Sequence, residues 1–293
     1  MVTQTADIAS VVDDAAVESF RRDGAVCLRG AFDPAWLETL ATGIEADLAA
    51  PSPRLTRHTK DPDTPAYIED FWVWNDFPAF RRFVHESPCG AIAARLLGAP
   101  SVNLVMDNWF LREAGSRSRP PFHQDLAYFD FDGTMCVLWL PLEPVSRENG
   151  IAFVKGSHLW DKLFMRVRFG DGHRRDAPEA EAEDGVVVNG QRYHAPPDVA
   201  ADPAAYELLR WDLDAGDCIF FDMRTLHGGL ADTLPTSTVR RFTLRMTAPD
   251  GMIRYRGDWA AGERAIFEAA GYGDGDRIAG PFFPQLWPRV QVD

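Results

Sequence analysis

Two periodicities of hydrophobic residues divide the chain near residue 100. Before that point apolar residues recur every three or four positions, as at Leu37, Leu40, Ile44 and Leu48, which is the spacing of one face of a helix. The pattern and its Asp, Pro and Gly boundaries predict helices over residues 14–23 and 34–49, a further helix from about 87 to 98, and a strand over 25–29.

After residue 100 the apolar residues form short runs bounded by turn residues. The runs predict strands at 102–112, 135–142, 151–155, 217–222 and 240–247. Short strands without interleaved helices are typical of an antiparallel sandwich or barrel rather than a Rossmann sheet. An acidic stretch rich in Ala, Pro and Gly, residues 167–200, interrupts the strands and is predicted to be a lid-like insertion. The segment after residue 251 is expected to wrap back over the sheet.

Composition narrows the class of protein. The hydrophobic fraction of 46% and aromatic fraction of 12% favour a packed globule over disorder. A net charge of −14 disfavours nucleic acid as a partner, because phosphate would be repelled. The N-terminus lacks a signal-like pattern and no apolar run is long enough for a membrane helix. The four cysteines form no paired motif. We therefore expect a cytoplasmic protein that acts on a small molecule, with neither nucleic acid nor membrane as a partner.

Candidate chemistry is concentrated in the segment 120–131, P-P-F-H-Q-D-L-A-Y-F-D-F. His123 and Asp125 lie two positions apart, and on a strand such residues share one face. An imidazole and a carboxylate on one face could bind adjacent positions of a metal ion. His227, about a hundred residues downstream, would complete the two-His-one-carboxylate triad of non-haem Fe(II) oxygenases. A His-x-Asp pair alone is weak evidence, so the triad hypothesis depends on strands from distant parts of the sequence meeting.

A second candidate site follows on the last predicted strand. Arg241 and Thr243 alternate there, so that both side chains would share one face. The planar guanidinium group suits bidentate capture of a carboxylate, and a nearby hydroxyl adds another hydrogen bond. A dicarboxylic cosubstrate such as 2-oxoglutarate would need such an anchor.

Three segments carry a family resemblance, which extends over about residues 14–256: P-F-H-Q-D-L-A-Y-F, C-V-L-W-L-P-L-E-P-V-S-R-E-N-G-I-A-F-V-K-G-S-H and G-D-C-I-F-F-D-M-R-T-L-H-G-G. Together they resemble the phytanoyl-CoA dioxygenase family. The resemblance implies a mainly β fold with flanking helices, a double-stranded β-helix or jelly roll. It also implies a dioxygenase that uses Fe(II), 2-oxoglutarate and O2 and releases succinate and CO2.

The same resemblance implies roles for individual residues. Fe(II) would be bound by His123, Asp125 and His227. An arginine of the R-R-F-T-L-R strand would bind the far carboxylate of 2-oxoglutarate, and Trp109 and Trp139 would line the cosubstrate pocket.

The chain departs from the family pattern after the second histidine. The loop is longer and the arginine comes later, so that Arg240 and Arg241 compete for the cosubstrate role. We prefer Arg241 because it is in phase with Thr243, at the position of an inward serine or threonine of the family.

The reaction and the domain organisation complete the expectations. Asp125 is present, whereas halogenating relatives have a small residue there, so hydroxylation is favoured. Two alternatives remain open: an inactive jelly-roll module that binds or senses a metal, and a zinc hydrolase or isomerase with the same ligands. We expect one oxygenase domain over residues 1–293, with a helical layer at about 14–98, a jelly-roll core at about 101–256 and the insertion at 167–200. The loops at 51–66 and 167–200 are the candidates for shielding the site.

Overall fold

The fold is mainly antiparallel β-sheet with helices on one side, as predicted. It comes from a computed structural model that describes residues 8–58, 63–117, 119–167, 184–230 and 234–289. In these ranges the helices are α1 Ile8–Val11, α2 Asp14–Asp23, α3 Pro34–Ala49, α4 Pro78–Glu86, α5 Cys89–Leu97 and α6 Ala261–Ala269.

Sixteen strands lie in the same described ranges, many of them only two or three residues long. They are β1 Ala25–Leu28, β2 Thr56–Arg57, β3 Tyr67–Phe71, β4 Val102–Arg112, β5 Phe131–Asp132, β6 Met135–Pro141, β7 Ala152–Val154, β8 Leu163–Phe164, β9 Val186–Val188, β10 Gln191–His194, β11 Leu208–Leu209, β12 Cys218–Asp222, β13 His227–Gly228, β14 Val239–Thr247, β15 Met252–Ile253 and β16 Gln285–Trp287.

Two sheets face each other and enclose the site. The main sheet has the order β1-β12-β6-β14-β4-β3-β2, with β16 added beside β4, and the smaller sheet has the order β11-β7-β13. Side chains of β6 alternate between two cores: Leu138 packs with the helices, whereas Val137 and Trp139 point between the sheets. This arrangement is the double-stranded β-helix expected from the sequence.

The helical layer covers the outer face of the main sheet. α3 packs against α4, and Phe80 of α4 stacks on Phe242 of β14 at a centroid distance of 5.4 Å. α2 ends where the sequence predicts, because Gly24 adopts a left-handed conformation with φ 82° and donates its backbone N–H to Phe20. The layer therefore stiffens the strands that carry the site, from the side opposite to it.

The predicted strands agree closely with the observed ones, and the segment after residue 251 does return to the sheet through β16. The expectation that His123 and Asp125 lie together on a strand is wrong. His123 forms one isolated bridge, and a single turn of 3-10 helix follows from Asp125 to Tyr128. The helices α1, α4 and α6 were not predicted from the sequence. Of the insertion at 167–200, residues 168–183 lie outside the described residues; the remainder includes the hairpin of β9 and β10.

β14 is the central strand for the site, since it pairs with β6 on one side and β4 on the other. Thr243 lies opposite Trp139 of β6 and Asn108 of β4. The register with β4 shifts between Arg245 and Met246, where a β-bulge inserts one extra residue.

No helix in the described part of the chain is both long and apolar enough to cross a bilayer. The cysteines Cys27, Cys89, Cys136 and Cys218 are all free thiols, the last three buried and Cys27 half-buried.

Candidate metal centre

The backbones of His123 and His227 are joined directly, although the residues are 104 positions apart in the sequence. Each amide N–H donates to the carbonyl oxygen of the other residue at 2.9 Å. Each Nδ1 lies against a backbone carbonyl that can only accept a hydrogen bond: that of Pro121 at 2.8 Å and that of Thr225 at 2.9 Å. Both Nδ1 atoms are therefore protonated, and the Nε2 atoms are the ring nitrogens that can bind a metal ion.

Asp125 completes a cluster of three possible ligands. Its Oδ1 lies 3.3 Å from Nε2 of His123 and 3.4 Å from Nε2 of His227. The three ligand atoms all lie within 4.8 Å of one another, and the three residues are buried. A strand was expected to bring Asp125 to the same face as His123. Instead, the 3-10 turn that begins at Asp125 turns the carboxylate towards the histidines.

Burial and the charges around this cluster together shift the pKa values of Asp125 and His227 in the directions that favour binding of a cation. Burial alone would raise the pKa of Asp125, but Arg245 and the contacts with the two histidines hold it well below its ordinary value. Burial, followed by the neighbouring His123, lowers the pKa of His227. An ionised Asp125 and a neutral His227 are the forms that can bind a metal ion.

The cluster lies in a cavity between the two sheets, with a volume of about 330 Å³. Phe221 packs against the His227 ring with centroids 4.5 Å apart, and Phe153 stacks on it at 5.7 Å. These rings shield one side of the cluster from water, as a site for reactive oxygen chemistry requires.

Arg241 also lines the cavity and is buried, with 7% of its surface exposed. Its Nε has no hydrogen-bond partner in the described structure, and its terminal nitrogen makes only a 3.3 Å contact with the Asn149 carbonyl. Burial, and then the charge of Arg112, lower the pKa of Arg241 to about 10. A buried guanidinium group without an anionic partner is costly unless a ligand supplies the anion.

Arg240, the competing arginine, is already paired. Its Nε donates to Glu143 at 2.8 Å and another nitrogen lies 3.2 Å from Glu45. Since neighbouring residues of a strand point to opposite faces, Arg240 points away from the cavity.

Thr243 and Trp139 line the same end of the cavity as Arg241. The guanidinium group of Arg241 lies 5.1 Å from the centre of the Trp139 ring, a cation–π contact. The Thr243 hydroxyl donates to the side-chain oxygen of Asn108, which also accepts a hydrogen bond from Arg245 at 2.8 Å.

Trp109 does not line the cavity, which corrects the expectation for this residue. Its register puts Asn108 and Phe110 on the cavity face, so that the indole between them points into the helical layer. There the Trp109 Nε1 donates to Asp47 at 2.7 Å, and the side chain is fully buried. Trp109 contributes to the outer core and not to the pocket.

Further cavity residues were not found from the sequence. Arg245 is one strand repeat beyond Thr243, and the alternation that identified Arg241 would also have identified it. Glu263 reaches the cavity from α6, and burial raises its pKa to about 7. The Nε2 of His58 lies 2.6 Å from Glu69, and both residues line the cavity. No local pattern places α6 or the loop of His58 beside the metal centre.

Comparisons with known proteins agree with this fold. The family model of phytanoyl-CoA dioxygenase (PhyH) matches residues 20–240. None of the curated proteins matches the chain. The chain is similar in structure to the non-haem α-ketoglutarate-dependent carbocyclase SnoK from nogalamycin biosynthesis, at 19% identity and a TM-score of 0.69, with 95% of this chain and 98% of SnoK covered.

Two further solved structures were determined with ligands. The epimerase SnoN from nogalamycin biosynthesis, in complex with Fe3+, α-ketoglutarate and nogalamycin RO, is 21% identical, with a TM-score of 0.68 and coverage of 96% of this chain and 100% of SnoN. EctD from S. alaskensis, with 2-oxoglutarate and 5-hydroxyectoine, is 16% identical, with a TM-score of 0.58 and coverage of 86% of this chain and 81% of EctD. At these identities the likeness establishes a shared fold.

Proposed function

The chain belongs to the phytanoyl-CoA dioxygenase family, and on that premise we propose that it is an Fe(II)- and 2-oxoglutarate-dependent dioxygenase that hydroxylates a small molecule. One observation carries the proposal. A buried His123, Asp125 and His227 cluster shares a cavity with Arg241, whose guanidinium group lacks an anionic partner among the described residues. The cluster can bind a metal ion, and the guanidinium group of Arg241 can bind one carboxylate of a dicarboxylate. The arrangement therefore fits a metal ion and a dicarboxylate that bind side by side.

The donor set fits iron. Two imidazole nitrogens and one carboxylate oxygen form the facial triad of non-haem Fe(II) oxygenases, which leaves positions open for other ligands. His123, Asp125 and His227 would hold the ion through Nε2, Oδ1 and Nε2. When bound with 2-oxoglutarate and O2, the iron supplies the oxidising chemistry, with release of succinate and CO2.

The residues of β14 orient the cosubstrate. Arg241 binds the carboxylate far from the metal, since its buried guanidinium group has no anionic partner among the described residues and Arg240 is paired elsewhere. Thr243 lies beside it and can turn its hydroxyl towards the same carboxylate. The Trp139 ring supports the guanidinium group from below and holds it in place. These residues fix the cosubstrate in one orientation before the substrate enters.

The substrate binds in the part of the cavity beside the metal centre. Glu263 and Tyr128 line the cavity, and the carboxyl group of Glu263, with a pKa near 7, can accept a hydrogen bond from a polar group of the substrate or donate one to it. A lid-like role for the insertion at 167–200 is supported by Val167 at its start, whose backbone N–H and carbonyl both bond to the Tyr128 hydroxyl. The whole chain acts as a single oxygenase domain in the cytoplasm.

Hydroxylation is preferred over halogenation because Asp125 occupies the position where halogenating relatives carry a small residue. An inactive metal-binding module is disfavoured by the complete ligand set with its unpaired arginine. A zinc hydrolase or isomerase would have no use for a buried dicarboxylate anchor.

The test is direct. Under anaerobic conditions, Fe(II) and 2-oxoglutarate added together should give a weak visible absorption band that neither gives alone. In air, the purified protein should convert 2-oxoglutarate to succinate, and a turned-over substrate should gain one oxygen atom by mass spectrometry. A protein that binds Zn(II) tightly but shows neither the band nor succinate would contradict the proposal. A product isomeric with its substrate would retain the cosubstrate chemistry but overturn hydroxylation.

A further inference from the structure

Arg245 is buried beside the metal centre and binds one of the proposed ligands. Its Nε lies 2.8 Å and a terminal nitrogen 2.7 Å from the same oxygen of Asp125, Oδ2. The other terminal nitrogen donates to Asn108 at 2.8 Å, and the guanidinium group lies 4.8 Å from the centre of the Phe129 ring. With these contacts Arg245 has one well-defined position and cannot swing away from Asp125.

The two oxygens of Asp125 face different partners. Oδ1 faces the Nε2 atoms of both histidines, whereas Oδ2 accepts two charge-assisted hydrogen bonds from Arg245. An oxygen that already accepts two such bonds has little electron density left for a cation, and a metal ion at Oδ2 would have to approach a guanidinium group closely.

We propose that Arg245 is a positioning residue that restricts Asp125 to a single coordinating oxygen and so keeps a coordination position of the metal open for the cosubstrate. The inference rests on the proposed function. Carboxylates bind metal ions through one oxygen or through both. Three protein atoms on an octahedral ion leave three positions, which 2-oxoglutarate and O2 fill completely. A second oxygen of Asp125 would compete for one of them.

If Arg245 acts in this way, its loss should change the affinity for 2-oxoglutarate and not the affinity for the metal. An ion pair with only a structural role would affect both affinities alike. In Arg245→Gln, Oδ2 is free to join Oδ1 on the metal, so that metal binding should be kept. Binding of 2-oxoglutarate to the metal-loaded protein should weaken by at least about tenfold, or about 1.4 kcal/mol, because the second oxygen of Asp125 then competes for one of its positions. Arg245→Lys, which retains one charged donor towards Oδ2, should lie between the wild type and Arg245→Gln.

The experiment titrates each purified protein anaerobically, first with Co(II) and then with 2-oxoglutarate, and follows the visible absorption of Co(II). Arg240→Gln is the matched control, because it removes the same residue type from the same strand but on the opposite face, and both of its affinities should equal those of the wild type. Circular dichroism establishes that each variant is folded.

The possible outcomes distinguish a failure of the role proposed for Arg245 from a failure of the proposed function. Wild-type affinity for 2-oxoglutarate in Arg245→Gln would overturn the inference and leave the proposed function standing. Equal losses of Co(II) and 2-oxoglutarate affinity would also overturn it, since Arg245 would then only support the site as a whole. If wild-type protein loaded with Co(II) does not bind 2-oxoglutarate, the proposed function fails and the inference fails with it. Should Arg245→Gln not fold, Arg245→Lys gives the decision by the same comparison of the two affinities.

Discussion

His123 and His227 exchange both of their backbone hydrogen bonds at 2.9 Å, so that one two-residue bridge places both imidazoles. The bridge belongs to the smaller sheet and does not depend on either side chain. His227→Ala should therefore keep the fold, while turnover of 2-oxoglutarate should fall more than about 100-fold, beyond the loss expected for an outer partner of a ligand. Succinate release measures the loss of turnover, and thermal unfolding of the metal-free protein shows whether the fold is kept. Near-normal turnover would remove His227 from the ligand set.

Asp125→Ala should also abolish turnover, but with a cost in stability. The substitution leaves the guanidinium group of Arg245 buried without its anionic partner, and breaking a buried ion pair from one side costs about 3–5 kcal/mol. Urea unfolding of the metal-free protein, compared with the wild type, measures this loss. Wild-type stability of Asp125→Ala would mean that Arg245 finds another partner.

Arg241→Ala should raise the concentration of 2-oxoglutarate needed for half-maximal turnover by about 10- to 100-fold, since hydrogen bonds to a charged group contribute about 1.5–3 kcal/mol. Arg240→Ala, whose parent side chain bonds to Glu143 outside the cavity, should leave that concentration unchanged. Steady-state kinetics at varied 2-oxoglutarate makes the comparison. The reverse ranking would transfer the role to Arg240.

Substitutions of Trp109 and Trp139 should have different effects, because the two side chains lie on opposite faces of the main sheet. Trp109→Phe removes the hydrogen bond to Asp47 and should lower the free energy of unfolding by about 1–3 kcal/mol without changing the requirement for 2-oxoglutarate. Trp139→Leu removes the ring beside Arg241, a contact of about 0.5–2 kcal/mol, and should raise that requirement several-fold. Kinetics and urea unfolding of both variants test this. A changed requirement in Trp109→Phe would contradict the placement of its side chain.

Asp107 should make the protein less stable as the pH rises. It is fully buried on β4, neither carboxylate oxygen has a hydrogen-bond partner in the described structure, and burial raises its pKa from 3.8 to about 7. A pKa raised on folding favours the protonated form, so the full stability is present below pH 4 and is lost as the pH rises towards 7. At about 1.4 kcal/mol per pKa unit, the loss is at most about 4 kcal/mol.

Asp107→Asn should therefore gain stability over the wild type, more at pH 8 than at pH 5. Urea unfolding at both pH values measures the difference, and Asp202→Asn, at an exposed position, is the control. A gain that does not depend on pH would mean that Asp107 stays protonated or is paired throughout this range.

The sequence predicted those parts of the structure that depend on local pattern. The bounds of β4 and α3 follow from runs of apolar residues and from the Asp33-Pro34 start, and both agree with the structure. The bridge between His123 and His227 is long-range, and no local pattern predicts it; the two histidines were brought together with Asp125 by the resemblance of three segments to the phytanoyl-CoA dioxygenase family.

The features that the sequence did not predict depend on contacts between elements that are distant in the sequence. The direction of the Trp109 side chain follows from pairing Thr243 with Asn108, a register that no single strand specifies. The 3-10 turn at Asp125 replaces a strand because the chain must leave the bridge to aim a carboxylate at both histidines. Glu263 reaches the cavity only because α6 folds back over it.

Arg241, Thr243 and Arg245 lie in one uninterrupted stretch of alternating residues, because β14 pairs with β6 without a register shift. A deletion or insertion of one residue inside that stretch would put the residues before and after it on opposite faces, so that the three side chains could no longer all face the cavity. The connection between His227 and β14 has no such constraint, since extra residues there leave the register of β14 unchanged. Changes of length between relatives should therefore collect in this connection, and it is the place where a designer can add residues without disturbing the catalytic geometry.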